Sequence, residues 1–186
     1  MRKLLFLTLF FACKSLSAQS VNSDSSQIAL NKEINDPCSR IDYQYDNFHY
    51  IKKYNTAIDL PTKIADTSYY KNFDAIFYKY IYKNVPSYTL HLSTTSSLPS
   101  GYVKGVIIIL TNGKRINKPL ARVETNVETI HDEATYVISS FVTLTTKDII
   151  LLKGSPIKEY ELYADQSILE HADIVYKMFL CLLNRK

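Results

Sequence analysis

The sequence predicts a mainly β (α+β) fold, an antiparallel β-sandwich or curled sheet of about six to seven strands with a C-terminal α-helix packed on it. Three observations carry that expectation. VKGVIIILTNGKRIN, Val103 to Asn117, has two β-prone runs closing on Asn112-Gly113, and Asn-Gly is a strong hairpin signal because both residues accept positive φ. Several other segments alternate apolar and polar residues with a period of two. LEHADIVYKMFLCLLN (169–184) instead repeats its apolar residues at three- and four-residue steps, as one face of a helix does.

In chain order, Arg2-Lys3, the apolar run Leu4–Ala12 and the small or polar CKSLSAQS have the layout of a secretory signal peptide. Residues 1–18 are assigned to it, with cleavage after Ala18 and Ser17 as the alternative site. Its apolar run falls short of the roughly 20 residues a bilayer span needs, and no later stretch is longer, so an exported chain with no transmembrane span is expected. Ala12-Cys13 also matches part of the lipidation rule for bacterial lipoproteins. A lipid anchor at Cys13 therefore competes with simple cleavage, although Phe10-Phe11 suit that rule poorly.

Removing this segment changes the charge balance. It holds Arg2, Lys3 and Lys14 and no acid, so the formal charge falls from +4 to +1. The remaining charges are interspersed, which excludes the clustered cations of a nucleic-acid partner. Residues 19–36 are polar and Ser/Asn-rich and read as a flexible lead-in. Residues 37–186 are then expected to form a single β-rich domain, long enough for a real core.

Of the three cysteines, Cys38 and Cys181 lie outside the signal segment. In an exported chain they read as one disulfide, the alternative being two buried free thiols.

From Cys38 to Lys83 the chain is dense in aromatics. Its first half has no clean period and is broken at Leu60-Pro61, so loop with short strand pieces is expected there. Phe73–Tyr82 is a strand, with Ile76, Tyr78, Tyr80 and Tyr82 on one face and Phe77, Lys79 and Ile81 on the other. Pro86 opens a half-buried strand carrying Tyr88, Leu90 and Leu92, followed by the turn-rich loop Ser93–Gly101.

The hairpin follows. A two-residue turn at Asn112-Gly113 would set Ile109 opposite Ile116 and put Ile107, Ile109 and Ile116 on one face, with Val106, Ile108 and Leu110 on the other. Apolar on both sides, this strand needs cover on both. One-sided strands such as Ala121–Val127 and Tyr88–Leu92 would cover the first face and the terminal helix the second, making the hairpin a middle layer. Pro119 cannot donate to a ladder, so pairing should lapse or bulge there.

ETIHDEA then reads as a polar connection, and Tyr136–Leu144 as a strand. Thr145 or Thr146 ahead of Asp148 caps a short helical turn, KDIILLKG. Tyr160, Leu162 and Ala164 mark a last strand. In the terminal helix, acids load the first turn and Lys177 and Arg185 sit late, matching the helix dipole.

GVIIILTNGK, SSFVTLTTKDIILLKGSPIKEYELYA and a helix with a late Cys together resemble a group of small secreted proteins of Bacteroidota. Those proteins carry a "GVIILF-DGTK"-like hairpin, a "SAFI-LT--DL-LL"-like strand and turn, and an "IK-FRLYIYD"-like strand. In this chain Thr111-Asn112 stands where Asp-Gly is commoner, and Glu161 where a basic residue is often found. The resemblance implies export and a β-rich fold, and it brings no catalytic residue.

No catalytic, cofactor-binding or metal-binding set is legible. His49, His91, His131 and His171 lack ligand spacing, and His131-Asp132-Glu133 reads as a charged turn. Nucleophile elbow, phosphate loop and dinucleotide fingerprint are all missing. Glu124 with Glu128, and Glu159 with Glu161, fall on ordinary exposed strand positions. The tyrosines are the feature left over, fifteen of them against no Trp. Tyr69, Tyr70, Tyr78, Tyr80 and Tyr82 are candidate ligand contacts, since a row of rings offers large area at little rotamer entropy; the competing role is cross-strand packing.

The expected function is an exported, non-catalytic β-sandwich domain, a binding or bacterial-envelope module with an unidentified protein or glycan partner and no cofactor. The alternatives are a small secreted hydrolase assembled from distant residues, and a surface lipoprotein acting as an assembly partner.

Overall fold

Alternation and β-branching put most of the described residues into strands, and in a computed structural model nine of these strands form one antiparallel sheet. The structure describes residues 36–56, 59–64, 67–72, 75–96, 103–130, 133–169 and 171–186. The signal segment 1–18 with Cys13, and all of the lead-in except Asp36, lie outside them.

The strands are β1 (Asp42–Asp46), β2 (Ile51–Asn55), β3 (Asp59–Ile64), β4 (Thr67–Asn72), β5 (Ala75–Tyr82), β6 (Val85–Ser96), β7 (Val103–Leu110), β8 (Arg115–Ile130), β9 (Glu133–Leu144), β10 (Ile157–Leu162) and β11 (Asp165–Ile168). Two helices follow late in the chain, α1 (Thr146–Gly154) and α2 (Ala172–Leu183), and a 3-10 turn spans Pro37–Arg40. The sheet order is β1-β2-β5-β6-β9-β8-β7-β10-β11, and β3 pairs only with β4.

The sheet curls. β6 and β10 are separated by three strands, yet the Tyr160 hydroxyl on β10 donates to the Ser93 carbonyl on β6. Two irregularities bend it: the β7–β8 register shifts between Lys104 and Val106, and the β7–β10 register between Ile157 and Glu159. Such bulges raise local twist. At the first of them Gly105 has φ +123°, a conformation closed to side chains with a Cβ. It lies opposite Pro119, so the expected interruption is met by an extra stretch of β8 while β8 itself runs on.

The inside of the curl is the core. Leu90, Leu92, Val106, Ile108, Leu110, Ile138, Tyr160 and Leu162 are all fully buried there. α2 presents Val175, Met178, Phe179 and Leu182 to the same cluster, with the Phe179 ring 4.4 Å from that of Phe77 on β5.

Four expectations need correction. The hairpin closes through a three-residue loop, with Gly113 N–H donating to Leu110 and Leu110 N–H to Lys114, and Gly113 at φ +78°. This is a type I turn followed by a left-handed residue, and it moves the register by one: Ile108 faces Ile116 and Ile109 faces Arg115. Ile116 therefore joins Val106, Ile108 and Leu110 in the core, and the hairpin is one wall of a curl in place of a middle layer. The aromatic-rich segment, expected as loop with short strand pieces, is mostly strand, β1 to β4 of five or six residues each, with Pro61 inside the two-stranded β3–β4 pair. ETIHDEA is mostly strand, since Glu128, Thr129 and Ile130 pair with Thr135, Ala134 and Glu133. Together with β11, which follows the strand expected to be last, β1 to β4 bring the strands among the described residues to eleven.

α1 starts as expected. The Thr145 hydroxyl accepts from Asp148 N–H, and Asp148 accepts from Thr145 N–H, a reciprocal capping box. Lys118 of β8 adds its ammonium to Asp148 Oδ2. Burial works to raise the Asp148 pKa, but the hydrogen bonds from Lys118 and Thr145 outweigh it and leave the carboxyl below its ordinary value. A folded-state pKa below the unfolded one stabilises above the unfolded value near 3.9, and that gain vanishes as pH falls through the folded value. Asp148→Asn should thus cost roughly 2 kcal/mol at pH 7. Urea melts repeated down the pH scale should show its gap to wild type closing below about pH 4; a gap constant to pH 2 would remove the carboxylate from the explanation.

Cys38 and Cys181 are disulfide-bonded, with Cα atoms 5.3 Å apart, joining the 3-10 turn to α2. The same end of α2 is held by Lys79 of β5. Its buried ammonium donates to the carbonyls of Leu183 (2.8 Å) and Arg185 (2.6 Å) and reaches that of Leu182 (3.3 Å). A cation at these orphan carbonyls suits the negative end of the helix dipole.

Candidate functional site

β5 alternates, so its two faces have opposite fates. Ala75, Phe77 and Lys79 point into the curl. Ile76, Tyr78, Tyr80 and Tyr82 share the other face, as their spacing predicts, with Ile76 buried, Tyr78 and Tyr80 half-buried and Tyr82 exposed. Antiparallel pairing then sets neighbours beside them: Asn55 and Thr89 flank Tyr78, Lys53 and Ser87 flank Tyr80, and Ile51 and Val85 flank Tyr82. One row further along, Ile76 faces His91 of β6, which in turn faces Phe141 of β9.

The result is a line of rings across three adjacent strands. Tyr80 stacks near Tyr78 at 6.2 Å and 15°, Tyr78 meets Phe141 at 6.2 Å, and His91 stacks on Phe141 at 4.3 Å and 24°. The Lys53 ammonium sits 5.2 Å from the Tyr78 ring centre, a cation–π contact. Phe141 is 59% exposed, high for a ring of its size on a sheet face. Arg122, ion-paired with Glu124 at 3.3 Å, shares the outward face next to β9.

Electrostatically the row is quiet. Burial raises the Tyr78 pKa, with the neighbouring Tyr80 adding to the effect, and burial also raises that of Tyr80, so both stay neutral phenols. Burial lowers the His91 pKa, keeping its imidazole uncharged near neutral pH. Its Nδ1 is buried without a hydrogen bond, which suits a ring used as an apolar slab. The arrangement offers flat area, hydroxyl donors at the Tyr edges and cations beside them, which is binding chemistry.

Of the sequence-predicted contacts, the structure brings Tyr78 and Tyr80 together and places Tyr82 at the end of the same outward row. Tyr69 and Tyr70 fall on β4, whose pairing partners Thr62 and Pro61 belong to the separate two-stranded sheet, so neither is part of the β5 ladder. Phe141, His91 and Lys53 are contributed by other strands and were not among the sequence-predicted contacts; strand pairing, which no local pattern encodes, is what recruits them.

The other candidates disperse. His49 pairs with Asp46 in the turn after β1, at 2.7 Å. His171 precedes α2 in a left-handed conformation. His131 and Asp132 lie outside the described residues. Glu159 contacts Lys158 and Gln166, and Glu124 contacts Arg122. Among the described residues no three His, Cys, Asp or Glu side chains gather as a metal site, and no helix is long and apolar enough to cross a membrane. A gap beneath α2, between Phe77, Leu152, Ile157, Val175 and Phe179, is lined almost wholly by apolar atoms and is a packing defect.

Comparison with known protein families, characterised proteins and solved structures gives no match to this chain.

Proposed function

We propose that the protein is an exported, non-catalytic binding module of a bacterial envelope, and that it engages a protein partner through the outward aromatic face of β5, β6 and β9. The observation that carries this reading is the contiguous ring line Tyr80–Tyr78–Phe141–His91 on the solvent side of the sheet, with Phe141 largely exposed. Tyr, Phe and Arg are enriched at protein interfaces, where rigid rings bring area at small entropic cost. The lack of Trp in the chain favours a protein over a glycan, whose sugar rings stack best on indole. Resemblance of the hairpin and late-Cys helix to small secreted Bacteroidota proteins, and the layout of residues 1–18, support export.

The test is a paired capture from envelope extract with wild type and Tyr78→Ser/Phe141→Ser as baits. Phe141 is exposed and Tyr78 only half-buried, so the variant should fold, losing about 1–2 kcal/mol. At least one protein should be retained by wild type and lost from the variant. Identical profiles on both baits would overturn the reading, and selective retention on a glycan array would move it to sugars.

A further inference from the structure

We propose a second contact surface, distinct from the aromatic face: the end of the sheet formed by the β1–β2 and β5–β6 turns docks on an anionic lipid surface. It uses other residues and another class of partner than the reading above, and stands or falls separately.

Phe48 occupies the four-residue turn between β1 and β2 and is 91% exposed, the most exposed large apolar side chain among the described residues. The turn is built to hold it there. Asp46 Oδ1 accepts from the N–H groups of Phe48 (2.9 Å) and His49 (3.1 Å), and Oδ2 accepts from His49 Nδ1 at 2.7 Å. Tyr50, also exposed, closes the turn at φ +56°. Because Ile51 pairs with Tyr82 and Tyr82 with Val85, the β5–β6 turn lies directly alongside. That turn, Lys83-Asn84, has both residues at positive φ, a tight type I′ reversal that brings exposed Tyr82 and Val85 to the same edge. Phe48, Tyr50 and Val85 are thus all exposed at the same end of the sheet.

The charges at this end say what the tip meets. β9 pairs with β6 as far as Tyr88 and then enters α1, and Ser155 after α1 holds the β7–β8 turn through Thr111 Oγ1 and Asn112 N–H, so all these segments share one end of the sheet. Residues 47–50, 83–84, 111–114 and 146–154 together carry four lysines, Lys83, Lys114, Lys147 and Lys153, all exposed. Their single carboxylate, Asp148, is buried and neutralised by Lys118. Asp46, at the foot of the first turn, is engaged by His49. Exposed rings and a valine sharing one end of the sheet with four exposed lysines suit a bilayer interface, where aromatics sit at headgroup level and lysines meet phosphate.

The experiment is vesicle co-sedimentation of the mature chain beginning at Gln19, which lacks Cys13 and so carries no acyl group, against phosphatidylcholine vesicles with and without phosphatidylglycerol. Binding should require phosphatidylglycerol and weaken with salt. Phe48→Ser/Val85→Ser should weaken it about tenfold. Lys83→Glu/Lys147→Glu should weaken it about twentyfold or more, since each lysine near such a surface is worth roughly fivefold. All four positions are exposed, so thermal melts should match wild type. Phe141→Ser is the control and should bind vesicles normally. Absence of binding to phosphatidylglycerol vesicles, or equal binding by the tip variants, overturns the proposal. So does a wild-type dimer that Phe48→Ser renders monomeric with vesicle binding unchanged, which would assign the tip to a second copy. Loss of vesicle binding in Phe141→Ser with Phe48→Ser silent would overturn the tip while leaving the aromatic face in place.

Discussion

Replacing Cys38 and Cys181 together with serine should lower the unfolding free energy by about 3–5 kcal/mol and the melting temperature by roughly 10–15 °C. The bridge spans a sequence separation of 143, and closing a loop that long removes on the order of 5 kcal/mol of freedom from the unfolded chain in the entropy model. The native side adds to this. Cys181 lies in the last turns of α2, and the Arg185 guanidinium donates to the Cys38 carbonyl at 2.6 Å, so the 3-10 turn and the helix end are fastened at two adjacent points. Substituting both cysteines leaves no odd thiol to scramble. Thermal and urea melts check the outcome, and a shift under about 2 °C would mean that the bridge contributes little beyond contacts that persist without it.

The hairpin shows where sequence legibility stops. Asn112-Gly113 marks a reversal correctly, but two turn types place Gly113 at positive φ: a two-residue type I′ loop, and a type I turn closed by a left-handed glycine. Composition does not separate them. The choice shifts pairing by one residue, and one residue turns a side chain to the opposite face, which is why Ile116 lies with Ile108 and not with Ile109. The β5–β6 turn fails differently: Lys83-Asn84 has no glycine, so a left-handed pair there leaves almost no trace in the sequence. β1 and β2 were legible only as unplaced short strand pieces because both faces of DYQYD and IKKYN are polar or amphipathic, and an edge pair needs no apolar alternation. By contrast, features set by near neighbours were readable: the Thr145–Asp148 cap, the helical step of α2, the outward stripe of β5.

The same division applies to the candidate surface. Tyr78 and Tyr80 share a face because of spacing along one strand. Phe141 and His91 join them because β6 lies between β5 and β9, an order that depends on where β7, β8 and β9 return in the sheet. A long-range crossover therefore decides whether the tyrosine stripe is a lone strand face or part of a multi-strand platform. The opposite face of β5 carries a comparable lesson. Lys79 breaks an otherwise apolar inward row, and only the position of the α2 carbonyls explains it.

Lys79→Met should destabilise the protein by about 2 kcal/mol and Lys79→Ala by about 3–4 kcal/mol. Methionine keeps the packed stem and removes only the donor, so the difference between the two measures the stem, and the methionine value measures the cap. The cap matters because the carbonyls of Leu182, Leu183 and Arg185 belong to the last turn of α2 and just beyond it, where the i to i−4 ladder has run out. The Leu182 carbonyl keeps a long backbone bond from Arg185 N–H at 3.3 Å, and Leu182 itself is buried. Tyr54 extends the arrangement, its hydroxyl donating to the Lys186 carbonyl at 2.6 Å. Since the ammonium and the disulfide restrain the same helix end from two sides, their effects should not add. In the Cys38→Ser/Cys181→Ser background the helix end can fray, the carbonyls then reach water, and Lys79→Met should cost about 1 kcal/mol less than in wild type. Amide exchange at Leu182 to Arg185 should rise in either variant ahead of exchange in β6 and β9. A cycle additive within about 0.3 kcal/mol would show that bridge and lysine act on separate parts of the fold. A positive cycle would establish the end of α2 as the clasp that closes the curl between β2, β5 and the 3-10 turn, with the disulfide holding the backbone and Lys79 holding its terminal carbonyl oxygens.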